Sequence, residues 1–120
     1  IRREQSITRR FYSLKALDKK FYISGITYFE IRRGLLAKNA LAQMKRFERL
    51  QGLFEIVMLD DLAIFEQAAI IYANLKTRGL IIQSEDILIA ATGMIKGLTV
   101  VSRDEDLARI EGLNLENWLN

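Results

Sequence analysis

The stretch from Gln83 to Trp118 carries the residues best placed to do chemistry. Asp86 opens an apolar run, Ile87-Leu88-Ile89-Ala90-Ala91, that reads as a helix capped by Ser84 and stopped at Gly97. Asp104 closes the β-rich run Leu98-Thr99-Val100-Val101 that follows. A helix start and a strand end in succession bring the two acids near one sheet edge, and in open α/β sheets sites gather beyond the carboxyl ends of the strands. Two carboxylates arriving there form a candidate metal site.

Composition narrows what such a site could do. The chain holds no His and no Cys. That inventory excludes a Ser-His-Asp triad, a thiol nucleophile, an imidazole base and the nitrogen or sulfur ligand sets of zinc and copper. Carboxylate oxygens remain, and they suit magnesium or manganese, hard cations that commonly work on phosphate groups. Metal-assisted phosphodiester chemistry is therefore the catalytic class most compatible with these residues.

The 120 residues make one domain, residues 1–120, of which half are hydrophobic, enough for a packed core. No apolar run reaches the roughly 18 to 20 residues that span a bilayer, and the basic start lacks a signal-peptide pattern, so a soluble, cytoplasmic protein is expected, with no membrane partner. The net charge of +3 hides an asymmetry. Residues 1–50 carry 13 Lys and Arg against 4 Asp and Glu, a balance of +9, while residues 51–120 carry 5 against 11, a balance of −6. A basic half suits nucleic-acid phosphates and an acidic half suits cations, although Lys and Arg on helices also serve simply as a solvated face.

These acids need elements to position them. Apolar residues at Ile7, Phe11, Leu14 and Leu17 mark an amphipathic helix. Phe21 to Thr27 reads as a short strand, and Thr27-Tyr28-Phe29-Glu30 as a capping box in which Glu30 does no more than satisfy a backbone N–H. Leu41, Met44, Phe47 and Leu50 define a helix over residues 40–53, and Phe54 to Leu59 a second strand. Asp60 or Asp61 opens a long helix through Leu62, Phe65, Ala69, Tyr72 and Leu75, closed by Gly79. A helical turn at Asp106 to Ile110 and a strand at Leu113 to Leu115 complete the chain. Strands alternating with helices imply an α/β fold, with a mainly parallel sheet covered by helices on both faces.

Four segments, in order, carry a family resemblance. Ile23-Ser24-Gly25-Ile26-Thr27-Tyr28-Phe29-Glu30-Ile31-Arg32-Arg33-Gly34 places a Glu before a hydrophobic-x-x-Gly pattern; Asp86-Ile87-Leu88-Ile89-Ala90-Ala91 has the form D-x-L-I-A-A; Val100-Val101-Ser102-Arg103-Asp104 ends a strand; and Gly112 to Trp118 closes the chain. Together they resemble the PIN-domain ribonucleases, in particular the VapC toxins of VapBC toxin–antitoxin pairs. The resemblance implies a PIN-like three-layer α/β/α sandwich and a magnesium- or manganese-dependent endoribonuclease. Glu30, Asp86 and Asp104 are its implied catalytic, metal-binding acids, Ser102 supports them, and Glu85 and Asp106 are second candidates at the rim. Read alone, Asp86 is a first-turn acid complementing a helix dipole and Asp104 a loop acid beside Glu105 and Asp106.

The same resemblance implies further features. Family members open with a strand ending in Asp-Thr-Asn or Asp-Thr-Asp, whose first Asp is a fourth acid of the pocket, whereas this sequence starts at Ile1 beside the helix that would follow. The expectation is a domain lacking its N-terminal strand, with no shared neighbour for the strands at residues 23–26 and 98–101, and with impaired metal binding and turnover. The implied partners are a VapB-like antitoxin, an RNA substrate and a second copy in a homodimer; the closing segment is most similar to members that cut the anticodon stem-loop of initiator tRNA. Residues 32–33 and the helix over 40–53 are implied to lie near the acidic groove, where Leu35, Leu36, Leu41 and Met44 serve either an interface or the core. The alternative function is a non-catalytic module for dimerisation, antitoxin binding or RNA binding. A DNA-binding regulator fits less well, because no helix-turn-helix spacing with a polar recognition helix is present.

Overall fold

The computed structural model describes residues 2–118. In chain order these form α1 (Arg2–Ala16), β1 (Tyr22–Ser24), α2 (Gly25–Ala37), α3 (Leu41–Gln51), β2 (Glu55–Val57), α4 (Leu62–Thr77), α5 (Ser84–Lys96), β3 (Val100–Val101), a 3-10 helix at Glu105–Arg109 and β4 (Leu115–Glu116). They group into two compact units, one made of residues 1–14 and 60–120, the other of residues 15–59.

The first unit is organised by α4 against α5. Ile64, Ala68, Ile71 and Leu75 recur along α4 at spacings of three to four and are buried, facing Ile87, Ala90 and Ala91 of α5. The alanines let the two helices approach closely, and Ile64 and Leu75 are almost wholly buried, each worth about 2–3 kcal/mol of apolar transfer. Phe11, Ile82, Leu107 and Ile110 complete this core. Asp61 caps α4 by accepting a hydrogen bond from the Ala63 N–H at 2.9 Å, so of the two acids read at this position it is the second that serves. Gly97 ends α5 in the left-handed conformation (φ 67°), which a residue with a Cβ adopts only at a cost. β3 and β4 pair in parallel, Val100 with Leu115 and Val101 with Glu116.

The second unit is a helical hairpin on a strand pair. β1 and β2 run parallel with Ile23 opposite Ile56. Tyr28 of α2 meets Phe47 of α3 at 5.7 Å between ring centroids, Arg32 reaches Glu48 at 4.0 Å, and Phe21 meets Phe54 edge-on at 6.0 Å. Asn39 turns the chain between the helices with φ 50°, a conformation that Asn tolerates better than most residues.

Both strand pairings are parallel, as the alternation of strands and helices implies, and the fold class is the α/β class of the PIN type. Several boundaries differ from the periodicity. The strands are two or three residues long, and the described residues form two separate pairs rather than one sheet. α2 begins at Gly25, inside the run read as strand, because Ser24 caps a helix there and stops the extended backbone. Leu17 lies past the end of α1 and is exposed, so the apolar stripe of that helix ends at Leu14; the side chain of Ile7 is outside the described residues.

Candidate functional site

Glu30 sits midway along α2, half-buried. The capping role read for it is not the one it plays. The N-cap of α2 is Ser24, whose Oγ accepts from the Thr27 N–H at 3.0 Å, so the cap is complete one turn before Glu30. Glu30 instead approaches its own helix neighbour Arg33, 3.9 Å from Oε2, and the Arg33 guanidinium lies 5.2 Å from the Phe29 ring centroid. The Glu-x-x-Arg spacing was the sequence signal for that pair.

Asp86 and Glu85 both occupy the first turn of α5, where the helix dipole favours negative charge. Ser84 does not cap this helix. It is the first helical residue, and Gln83 stands at the cap position without a side-chain hydrogen bond. Asp86 is half-buried and Glu85 exposed, so Asp86 is the one of the two that faces the fold.

Asp104 has the most defined surroundings. It is the N-cap of the 3-10 helix, its Oδ1 accepting from the Asp106 N–H at 2.9 Å, while its own N–H donates to Ser102 Oγ at 3.0 Å. Oδ2 is left for another partner. Asp106 is engaged with Arg109 at 3.2 Å, which makes it a weaker candidate than Asp104. Thus Ser102, Asp104 and Asp106 are brought together at the end of β3, Glu85 and Asp86 share the start of α5, and Glu30 belongs to the other unit. Among the described residues, no group of three or more His, Cys, Asp or Glu side chains is placed to hold a metal ion. The donors themselves are all carboxylate or hydroxyl oxygen, a chemistry that fits magnesium or manganese and no softer metal.

The long-range ion pairs escaped the sequence, and one of them shifts a titration. Lys96 at the end of α5 donates to Asp60 Oδ1 at 3.1 Å and holds that carboxyl below its ordinary pKa, by the hydrogen bond first and by its charge second. Nothing local announces a contact between residues 36 apart.

Comparison with known proteins identifies the family of the chain. The PIN domain matches residues 4–113. VapC ribonuclease Y4jK of Sinorhizobium fredii is 35% identical over 102 residues, covering 80% of this chain and 73% of that protein. Among solved structures, VapBC2 from Rickettsia felis bound to a promoter DNA fragment aligns with a TM-score of 0.82 at 25% identity, over 92% of this chain and 84% of that one. DNA-bound VapBC from Salmonella typhimurium aligns at 0.76 and 26% identity, over 94% and 84%. The chain belongs to the PIN-domain family. Within that family it is VapC-like. No helix among the described residues is long and apolar enough to cross a membrane.

Proposed function

We infer that this protein is the ribonuclease toxin of a VapBC-type toxin–antitoxin pair, cutting RNA phosphodiester bonds with magnesium or manganese. The observation that carries this reading is the 35% identity to a VapC ribonuclease across four-fifths of the chain. Glu30, Asp86 and Asp104 are the acids that would hold the cation. A bound ion would offset carboxylate charge and polarise a phosphate oxygen. The Asp106 N–H holds the Asp104 carboxylate through Oδ1, and Ser102 Oγ holds the Asp104 backbone N–H, so that side chain and main chain of this acid are each positioned by one hydrogen bond. The start of α5 contributes Asp86 from a rigid element, which positions a carboxylate better than a loop does.

A VapB-like antitoxin is the inferred inhibitor, by analogy with the VapBC complexes that share the fold. A second copy of the chain as dimer partner rests on the family resemblance alone. Transfer RNA is the first substrate to try.

The experiment is cleavage of a labelled tRNA pool with magnesium or manganese by the protein and by Glu30→Gln, Asp86→Asn and Asp104→Asn. A version extended upstream by an Asp-bearing strand runs beside them. The expected result is metal-dependent cleavage that falls by at least about a hundredfold in each variant, with folding retained, on the order of the effect of removing a group that stabilises transition-state charge. Cleavage by neither version supports the non-catalytic binding module instead, and cleavage indifferent to all three substitutions overturns the assignment of these acids.

A further inference from the structure

We propose that the outward face of α3 is a phosphate-binding strip that holds RNA by its backbone, using Lys45, Arg46 and Arg49. The proposal rests on the RNA-cleaving reading above and adds to it residues that are none of the candidate acids.

Met44, Phe47 and Gln51 are the part-buried residues of α3, and Glu48 turns toward Arg32 of α2. At about 100° per residue, the direction opposite that packed side falls among Lys45, Arg49 and Arg46, which span an arc of roughly 100° with only Ala42 between them. All three are exposed, and none has an acidic partner within 4.0 Å among the described residues. Elsewhere in the molecule Arg10, Arg78, Lys96 and Arg109 have one, while the exposed Arg9, Lys38, Lys76 and Arg103 do not, so what sets α3 apart is the gathering of three such cations on one helix face. Lys45 and Arg49 are four residues apart and Arg46 and Arg49 three, so like charges stack along one helix face, an arrangement that weakens a helix unless something else uses it.

A polyanion is what would use it. The strip lies in the unit made of residues 15–59, which carries 9 Lys and Arg against 4 Asp and Glu. Protein interfaces are depleted of Lys and centre on apolar anchors, whereas a row of long cationic side chains suits phosphates and binds them without reading sequence. The strip therefore supplies affinity and leaves the choice of scissile bond to the rest of the protein.

The test is binding of a short, labelled, mixed-sequence single-stranded RNA in EDTA, across a salt series, by the protein, by K45A/R46A/R49A and by K45R/R46K/R49K. DNA duplex serves as the competitor, Lys76→Ala as a surface-charge control, and thermal melting reports folding. Three lost phosphate contacts should lower the slope of log K against log salt by about 2 and weaken binding on the order of a hundredfold at 0.1 M salt. The charge-conserving variant and the control should bind as the parent does. An unchanged slope in the folded triple-alanine variant overturns the proposal, as does preference for DNA duplex over RNA. Cleavage with manganese, measured on the same proteins, separates the two readings: parent-like binding by K45A/R46A/R49A with cleavage intact removes only the strip, and strip-dependent binding by a protein that never cleaves removes only the nuclease.

Discussion

Gly93 of α5 stands so close to Val100 of β3 that a Cβ on it would lie 2.8 Å from Val100 Cγ2. The helix start that presents Asp86 and the strand end that leads to Asp104 belong to the same two elements, so this contact sets how the elements carrying both acids lie on one another. A branched valine has no flexible end to move aside. Gly93→Ala should cost about 1–3 kcal/mol, the usual range for overpacking. Urea denaturation would show it as a lower midpoint with an unchanged slope, whereas Gly34→Ala, where nothing lies within 4 Å, should not destabilise the protein.

Ser24 and not Glu30 caps α2, and the two variants should separate accordingly. Ser24→Ala leaves the Thr27 N–H without its acceptor and should cost about 1 kcal/mol. Glu30→Gln should change thermal stability by less than about 0.5 kcal/mol, since its contact with Arg33 is exposed and long. Equal losses would mean that Glu30 is structural.

The Asp60–Lys96 pair sets a pH dependence of definite sign. Its depressed carboxyl pKa means that the pair stabilises the fold above the unfolded-state value, and that this contribution fades as pH falls through the folded-state value. Carboxyl-carbon NMR titration should place Asp60 below the ordinary carboxylate range in the parent protein and back within it in Lys96→Met. Because the pair is exposed, raising salt should shift the parent in the same direction.

Ser102 offers a test of positioning. Ser102→Ala removes the acceptor for the Asp104 N–H without touching a carboxylate. Manganese-dependent cleavage should drop by about tenfold to a hundredfold, with the loss appearing in the concentration of manganese required, as expected when a supporting hydrogen bond to a ligand is removed. Ser102→Thr, which keeps the hydroxyl, should restore most of it.

The sequence was most legible where the physics is local. A cap at Asp60 or Asp61 and the Gly97 stop depend on residues within a turn or two of one another and are readable from side-chain chemistry. The helix α4 was legible too, but its buried face was not: spacing picked Leu62, Phe65, Ala69, Tyr72 and Leu75, of which only Leu75 is buried, because α4 is apolar on most sides and buries Ile64, Ala68 and Ile71 instead. Ser24 was misread because a Ser inside an aromatic, β-branched run looks like strand, and only the backbone after it shows that the helix has begun. The strands were read too long, since apolar runs mark burial and not pairing, which for β3 involves two residues. The acids were legible as candidates through motif form. Their environments were not: the hydrogen bonds that orient Asp104 arise from a 3-10 turn that composition does not announce, and the Lys96 contact joins distant segments.

Every buried residue described, from Phe11 to Ile110, lies in the unit built on α4 and α5, and neither α2 nor α3 contains one. Local opening is easiest where few apolar contacts must be broken. Amide protons of α4 and α5 should therefore exchange with solvent only when the whole unit opens, while those of α2 and α3 exchange through far smaller excursions. The hairpin that bears Glu30 and the cationic strip is thus the segment most readily clipped by a protease, and the one whose protection a bound ligand would raise most.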